Sequence, residues 1–240
     1  MILFNLFKFI MMWLSVVVGL LIFTPLVFAT LPFSYYFDRN RNTQHFVAIL
    51  WARFIFLLNP WWKLNVKGKE NLPKPGSAAV FVANHSSQAD ILAFFCTGAR
   101  FRWLSKIEVF RIPLVGWCMW AIGYIPVVRT NAKSRRQCML DAKGKLESGI
   151  PMTFFPEGTR SKDGKLLPFK PGAFLLASES KVPIIPVTIN GASQLLPKGS
   201  WFPQPAVVEV VIHPPIEVEG REVREISTEA RNTIEAALLV

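Results

Sequence analysis

The sequence is short of charge. Only 18% of its 240 residues are Asp, Glu, Lys or Arg, where an ordinary globular chain carries about a quarter, and 51% are hydrophobic. A chain this apolar cannot be an extended disordered segment, and part of its surface is expected to face something other than water. Acidic residues are the scarcer sign, 16 against 27 basic, and the net charge of +11 calls for anionic partners: nucleic acid, anionic lipid or phosphorylated metabolites. Cysteine is rare and unpatterned. Cys96, Cys118 and Cys138 form an odd set with no C-x-x-C spacing, which excludes a disulfide framework and a cysteine zinc site and suits a reducing compartment. No G-x-S-x-G elbow and no H-E-x-x-H helix occurs, so neither a hydrolase-type serine nor a histidine zinc site is indicated. Internal repeats, low-complexity stretches and long linkers are missing too, and no nucleic-acid-binding module is recognisable.

What is present begins with grease. Phe9 to Phe37 holds no charged residue, with only Gly19, Pro25 and Pro32 as breakers. A bilayer needs about 20 such residues for one helix, and the run is too long for a signal peptide. A second apolar segment, Phe46 to Trp62, is interrupted by Arg53 and ends in Asn59-Pro60-Trp61-Trp62. It reads as a helix lying in the interface, its tryptophans at headgroup depth. Arg39 and Arg41 lie between the two, so a spanning first segment puts the rest of the chain on the cytoplasmic face. Residues 1–60 are therefore expected to anchor the protein to the membrane, single-pass or monotopic, and residues 61–240 to form one domain.

In that domain short apolar runs alternate with helical stretches. Ala78 to Ala83, Phe101 to Ser105, Gly123 to Val128, Met152 to Phe155, Val182 to Ile189 and Val207 to Ile212 read as buried strands. Ser87 to Thr97, Pro113 to Ala121, Ser134 to Glu147, Pro171 to Glu179 and Ser227 to Leu239 read as helices. The fold class is α/β, with a mixed, mostly parallel sheet covered by helices on both faces.

Of the three histidines, His85 stands where a buried strand gives way to a helix, in Asn84-His85-Ser86-Ser87-Gln88-Ala89-Asp90. Ligands of α/β sheets gather at such strand ends, and an imidazole titrates near neutrality. Ser87 and Asp90 have the spacing of a capping box. The same carboxylate can fold back to one ring nitrogen and fix its tautomer. Neither Ser86 nor Ser87 suits a nucleophile beside this base, and Cys96 lacks a local one. The pair fits deprotonation of a substrate hydroxyl. A second polar turn follows another buried strand: Phe154-Phe155-Pro156-Glu157-Gly158-Thr159-Arg160-Ser161, continued by Lys162, Lys165 and Lys170. Glycine admits close backbone approach and arginine forks onto phosphate. Lys106 and Arg129 likewise end predicted strands, so these cations can share one phosphate. Lys133, Arg135, Arg136, Lys143 and Lys145, on a predicted helix, read as a solvated, lipid-facing or nucleotide-facing surface.

The N-H-x4-D and F-P-E-G-T-R-S strings resemble those of glycerolipid acyltransferases, in particular the PlsC-type 1-acyl-sn-glycerol-3-phosphate (lysophosphatidate) acyltransferases. Ile112-Pro113-Leu114-Val115-Gly116 after Lys106, Gly123 to Arg129, and Val182 to Val187 agree in order, so the resemblance covers about Trp61 to Ile216. It implies that His85 is the general base and Asp90 its orienting acid. An acyl group then passes from acyl-CoA or acyl-carrier protein to the sn-2 hydroxyl of lysophosphatidate, with no acyl-enzyme, metal or bound cofactor. Arg160, Arg129 and Lys106 are implied at the acceptor phosphate, with Glu157 holding the turn, Gly158 and Thr159 giving backbone contacts and Asn84 a candidate oxyanion donor. Pro183 to Val187 is implied in the wall of the acyl or acceptor groove. Membrane lipids are the implied surroundings, and nucleic acid is not a partner. The same dyad could serve glycerol 3-phosphate, another lysophospholipid or a lyso-ornithine lipid. A non-enzymatic membrane-binding module would instead bind liposomes without regard to His85.

Overall fold

A computed structural model describes residues 2–161, 164–197 and 199–239. The chain opens with α1 (Ile2–Ala29), α2 (Leu31–Phe37) and α3 (Asn42–Leu58). Then come β1 (Trp62–Lys67), β2 (Val80–Ala83), α4 (Ala89–Cys96), β3 (Arg102–Lys106), α5 (Ile107–Phe110), α6 (Val115–Ile122) and β4 (Ile125–Val127). The remainder is α7 (Ala132–Glu147), β5 (Met152–Phe154), α8 (Gly172–Ser180), β6 (Ile184–Asn190), α9 (Ala192–Leu195), β7 (Ala206–Ile212) and α10 (Val223–Ala236).

The strands make one sheet in the order β1-β7-β6-β2-β5-β3-β4. Among the strand pairs of the described residues only β6–β7 is antiparallel, so β6, β2, β5, β3 and β4 all point their C-terminal ends at one rim. Successive residues of a strand face opposite sides, and the two sides hold separate cores. Phe81 and Ala83 pack with α4, α6 and α3 on one face. Val80 and Val82 pack with α7, α8 and α10 on the other. A mostly parallel sheet buried on both faces is what the alternating apolar runs predict.

All six expected strands form, and a seventh, β1, joins them. Its residues alternate, with Trp62, Leu64 and Val66 more covered than Lys63, Asn65 and Lys67. A search for continuous apolar runs passes over such a half-buried edge strand. Lys67 protects that edge and pairs with Glu209 on β7 at 2.6 Å. A second difference concerns Pro183 to Val187. From Ile184 on it is the start of β6, next to β2 in the middle of the sheet, and Ile184, Ile185 and Val187 are buried in the cores on the two sheet faces rather than part of a groove wall.

The boundary expected at residues 60 and 61 falls between α3 and β1, and one core runs across it. Ala52 and Ile55 of α3 are buried with Ala93 and Phe94 of α4. Leu3–Phe37 is long and apolar enough to cross a membrane by length and composition. It runs antiparallel to α3 and is fastened to it by polar pairs: Asn59 Nδ2 to Ser15 Oγ at 3.0 Å, Ser34 Oγ to Gln44 Oε1 at 2.8 Å, and Gln44 Nε2 to Thr30 Oγ1 at 3.1 Å. Gly19 lets the two helices close up, since a Cβ there would sit 2.6 Å from the Trp51 indole. The hairpin is bolted to the sheet by Arg102, fully buried at the start of β3. Its guanidinium donates to the carbonyls of Ile122, Phe101, Asn40 and Arg41. Burial lowers its pKa to about 10.

Candidate active site

The site grows from the ends of β2 and β5, adjacent parallel strands whose following loops meet at the C-terminal rim. After β2, the Asn84 side chain extends the ladder onto β6: Oδ1 accepts from Ile189 N–H at 2.7 Å and Nδ2 donates to Ile189 C=O at 2.9 Å. The expected oxyanion donor is thus engaged in fixing the strand end that carries His85.

Beyond it the chain turns back on the first turn of α4, where Asp90 is wholly buried. Oδ2 of Asp90 accepts three bonds: from the His85 Nδ1 at 2.7 Å and from the backbone N–H groups of Ser86 and Ser87, each at 2.8 Å. Only half of the expected capping box forms: the Asp90 carboxylate takes the Ser87 N–H, whereas Ser87 Oγ accepts from Ala89 N–H at 3.2 Å and the helix N-cap is Gln88. Because Nδ1 faces an acceptor-only group, Nδ1 is the donor nitrogen of this bond. Among the described residues Nε2 has no hydrogen-bond partner, and the side chain is 17% exposed. An oriented imidazole whose second nitrogen is open has the geometry a proton acceptor needs. The nearby hydroxyls are engaged: Ser86 Oγ donates to Asp90 Oδ1 at 3.4 Å and Ser87 Oγ to Leu196 C=O at 2.8 Å. Burial pushes the Cys96 thiol up to about 12, which keeps it protonated and a poor nucleophile.

The E-G-T-R turn clamps His85 from the other side. Glu157 Oε1 accepts from the His85 N–H at 2.8 Å, and the Ser161 N–H donates to the His85 carbonyl at 2.8 Å. Oε2 of Glu157 accepts from Leu167 N–H at 3.0 Å. Burial raises the Glu157 pKa above the ordinary carboxylate range, opposed by these two backbone bonds. With both oxygens turned onto backbone, Glu157 holds the turn. Phe155 stacks on the His85 ring at 4.1 Å between centroids and 22° between planes, a positioning contact the sequence reading did not single out.

Four cations gather on this rim. Arg129, after β4, donates through Nη1 to the Gly158 carbonyl at 2.7 Å, which ties it to the turn that bears Arg160. Lys106 ends β3 in register with Val127, next to the Arg129 strand. Arg160 is half-buried, whereas Thr159, Lys106 and Arg129 are exposed. Lys170 belongs with them. Its ammonium lies close over Gly158, where a Cβ would be 2.5 Å from Nζ, and the φ of +71° at Gly158 is what favours glycine there. Sequence spacing gave Lys170 no particular place, because the Leu166–Phe169 loop that returns it to the turn shows no local pattern.

Beside the dyad an apolar cavity of about 400 Å³ runs between the hairpin and the sheet. Gln88, Ala89 and Leu196 line it at the His85 end, and Trp51, Trp103 and Met119 line it farther in. No cavity was legible in the sequence, since its walls come from α1, α3, α4, α6 and β3.

An imidazole with one open nitrogen, a rim of cations and an apolar cavity thus lie together at one cluster of strand ends. A family model described as Acyltransferase matches residues 63–190, and the chain belongs to that family. It is 39% identical over 205 residues to the chloroplastic 1-acyl-sn-glycerol-3-phosphate acyltransferase of Brassica napus, covering 85% of this chain and 58% of the relative. The chain thus spans less than two thirds of the length of that curated relative. A 1-acyl-sn-glycerol-3-phosphate acyltransferase of Pseudomonas aeruginosa is 30% identical over 194 residues, covering 78% of this chain and 73% of the relative. The crystal structure of the 1-acyl-sn-glycerophosphate (LPA) acyltransferase PlsC from Thermotoga maritima superposes with a TM-score of 0.81 at 27% identity, covering 98% of this chain and 94% of that one.

Proposed function

We propose that the protein transfers a fatty acyl group from a thioester, acyl-CoA or acyl-carrier protein, to the sn-2 hydroxyl of 1-acyl-sn-glycerol 3-phosphate, giving phosphatidate. The observation that carries this reading is the clamp: the backbone N–H and C=O of His85 are both bonded to the turn that bears Arg160. A proton acceptor and an anion-binding cluster are thereby held at fixed separation, as a base acting on a phosphorylated alcohol requires. The names of the relatives support the same acceptor.

In this mechanism Nε2 of His85 removes the hydroxyl proton as the oxygen attacks the thioester carbonyl. The resulting imidazolium is stabilised by Asp90. The tetrahedral intermediate collapses with cleavage of the C–S bond, and the thiolate takes the proton from Nε2, which leaves the enzyme unchanged. Arg129, Arg160, Lys106 and Lys170 hold the acceptor phosphate, and the apolar cavity takes hydrocarbon. No bound metal or cofactor enters, the thioester being a co-substrate.

The protein works at a membrane surface, with its catalytic domain on the cytoplasmic face. The exposed side chains of the hairpin and α6, among them Phe33, Phe46, Trp117 and Trp120, support the membrane contact, and the side rests on the loop charges Arg39 and Arg41. Because α1 and α2 are fastened along α3, and α3 to the domain, the hairpin suits insertion into one leaflet better than an independent crossing.

The test is thiol release from one acyl-CoA offered lysophosphatidate, glycerol 3-phosphate and lysophosphatidylcholine in parallel. Lysophosphatidate is expected to give the highest kcat/KM, and Arg160→Ala chiefly to raise its KM. A preference for another acceptor would overturn the substrate, and absence of thiol release would overturn the chemistry.

A further inference from the structure

The positive charge of this chain is concentrated. Residues 101–146 hold nine Lys or Arg against two Asp or Glu, whereas residues 216–239 hold three against six. In the acidic segment two of the three cations are paired: Arg221 with Glu229 at 2.6 Å and Arg231 with Glu235 at 3.3 Å. On α7 they are not. Among the described residues no carboxylate lies within ion-pair distance of Lys133, Arg136 or Lys143, and Asp141 is occupied by the Gln137 amide at 2.9 Å.

Lys133, Arg136, Leu140 and Lys143 follow one another at intervals of three, four and three, so they form a single stripe along α7. Lys133 and Arg136 are exposed, Lys143 is half-buried, and Leu140 stands 54% exposed in the middle of the stripe. At 1.5 Å per residue the stripe is about 15 Å long. Its upper end is joined to the active site: Arg135 Nη1 donates to the Arg129 carbonyl at 2.7 Å, and Arg129 donates to Gly158.

We propose that this stripe docks an acidic, helical acyl-carrier protein, which delivers its thioester over the α7 N-terminus to His85. The inference rests on the acyl-transfer reading above. Charge complementarity sets the sign of the partner, and the stripe's place in the fold sets its kind. α7 covers the sheet face opposite the α1–α3 hairpin and α6, so a bilayer laid against the exposed aromatics of that side meets the wrong face of the molecule. A nucleotide is held in a concavity, whereas this is the outward face of a helix with a leucine among its cations. An amphipathic acidic helix matches it: apolar contact at the centre, ion pairs around it.

The test uses the full-length Lys133→Glu, Arg136→Glu, Lys143→Glu variant with lysophosphatidate as acceptor. Two donors are compared, hexadecanoyl-CoA and a purified acidic bacterial acyl-carrier protein bearing the same acyl thioester. For the carrier-protein donor kcat/KM is expected to fall at least about tenfold, and the wild-type value to fall with salt, as for lost electrostatic steering. For the CoA donor it should stay within about twofold. Should the triple variant fail to fold, as read by thermal unfolding, Leu140→Ala serves instead, with a smaller loss confined to the carrier. Equal losses with both donors, no loss with either, or a loss of sedimentation with phosphatidylglycerol vesicles would each overturn the docking surface. A wild type that uses CoA and never the carrier sinks this inference alone. A wild type that releases thiol from neither sinks the acyl-transfer reading and the docking surface together.

Discussion

His45 and His85 are both packed against aromatic rings, yet they differ in how their ring nitrogens are bonded. Around His45 each ring nitrogen is satisfied: Nε2 donates to the Ala99 carbonyl at 3.0 Å and Nδ1 accepts from the Tyr124 hydroxyl at 3.2 Å. Phe101 closes the pocket at 4.7 Å, and burial holds the pKa well below the ordinary histidine range. That imidazole is neutral and inert, a spacer that joins α3 to the sheet. His85 has the same ring with half of its hydrogen-bonding filled. Asp90 takes Nδ1, Phe155 supports one face, and Nε2 is left open on a cation-lined rim. The two histidines thus differ in whether the second ring nitrogen has been given a partner.

That contrast can be broken at four points. His85→Ala should lower turnover by at least about 10²-fold, the low end for general-base catalysis, with thermal unfolding unchanged. Near-normal rates in the purified variant would remove the base from the mechanism. Asp90→Asn should cost less, on the order of tenfold, since the ring remains but its tautomer is no longer imposed. An unaltered pH–rate profile would show that Asp90 serves only the backbone of the turn. His45→Phe should leave kcat within about twofold while costing about 1–3 kcal/mol of stability, because Tyr124 Oη and the Ala99 carbonyl lose a partner inside the core. A loss of activity without loss of stability there would erase the distinction between the two histidines. The smallest effect is on pH. With its folded pKa depressed, His45 takes up a proton in the unfolded state first, so stability falls as pH drops below about 6.5, by up to about 1.4 kcal/mol per unit. Denaturant titrations from pH 7 to 5 should show a shallower slope in His45→Phe.

Much of this was legible along the chain. Buried parallel strands announce themselves as short apolar runs, and the six expected ones form. The His85–Asp90 bond lies within one turn and its neighbouring helix, so spacing alone could suggest it. β1 was hidden because an edge strand covered on one side alternates, and its lysines dilute the apolar signal. Asn84 and Glu157 are polar residues at the right places whose bonds run to backbone 105 and 72 positions away, and no local pattern says so. Nothing local marks Arg102, since its four carbonyl partners are drawn from three separate segments.

The amino-acid sequence by itself determined the alternation of strand and helix, the apolar start and the pairing of an imidazole with a nearby acid, since each is set by residues within a few turns of one another. Only the tertiary structure decided that the strand order β2-β5-β3-β4 gathers Arg129, Glu157, Lys170 and His85 at one rim, that the hairpin walls an apolar cavity, and that one histidine keeps an open nitrogen. Those outcomes depend on which distant surfaces pack together, and packing is a property of the whole closed core that no short window of residues contains.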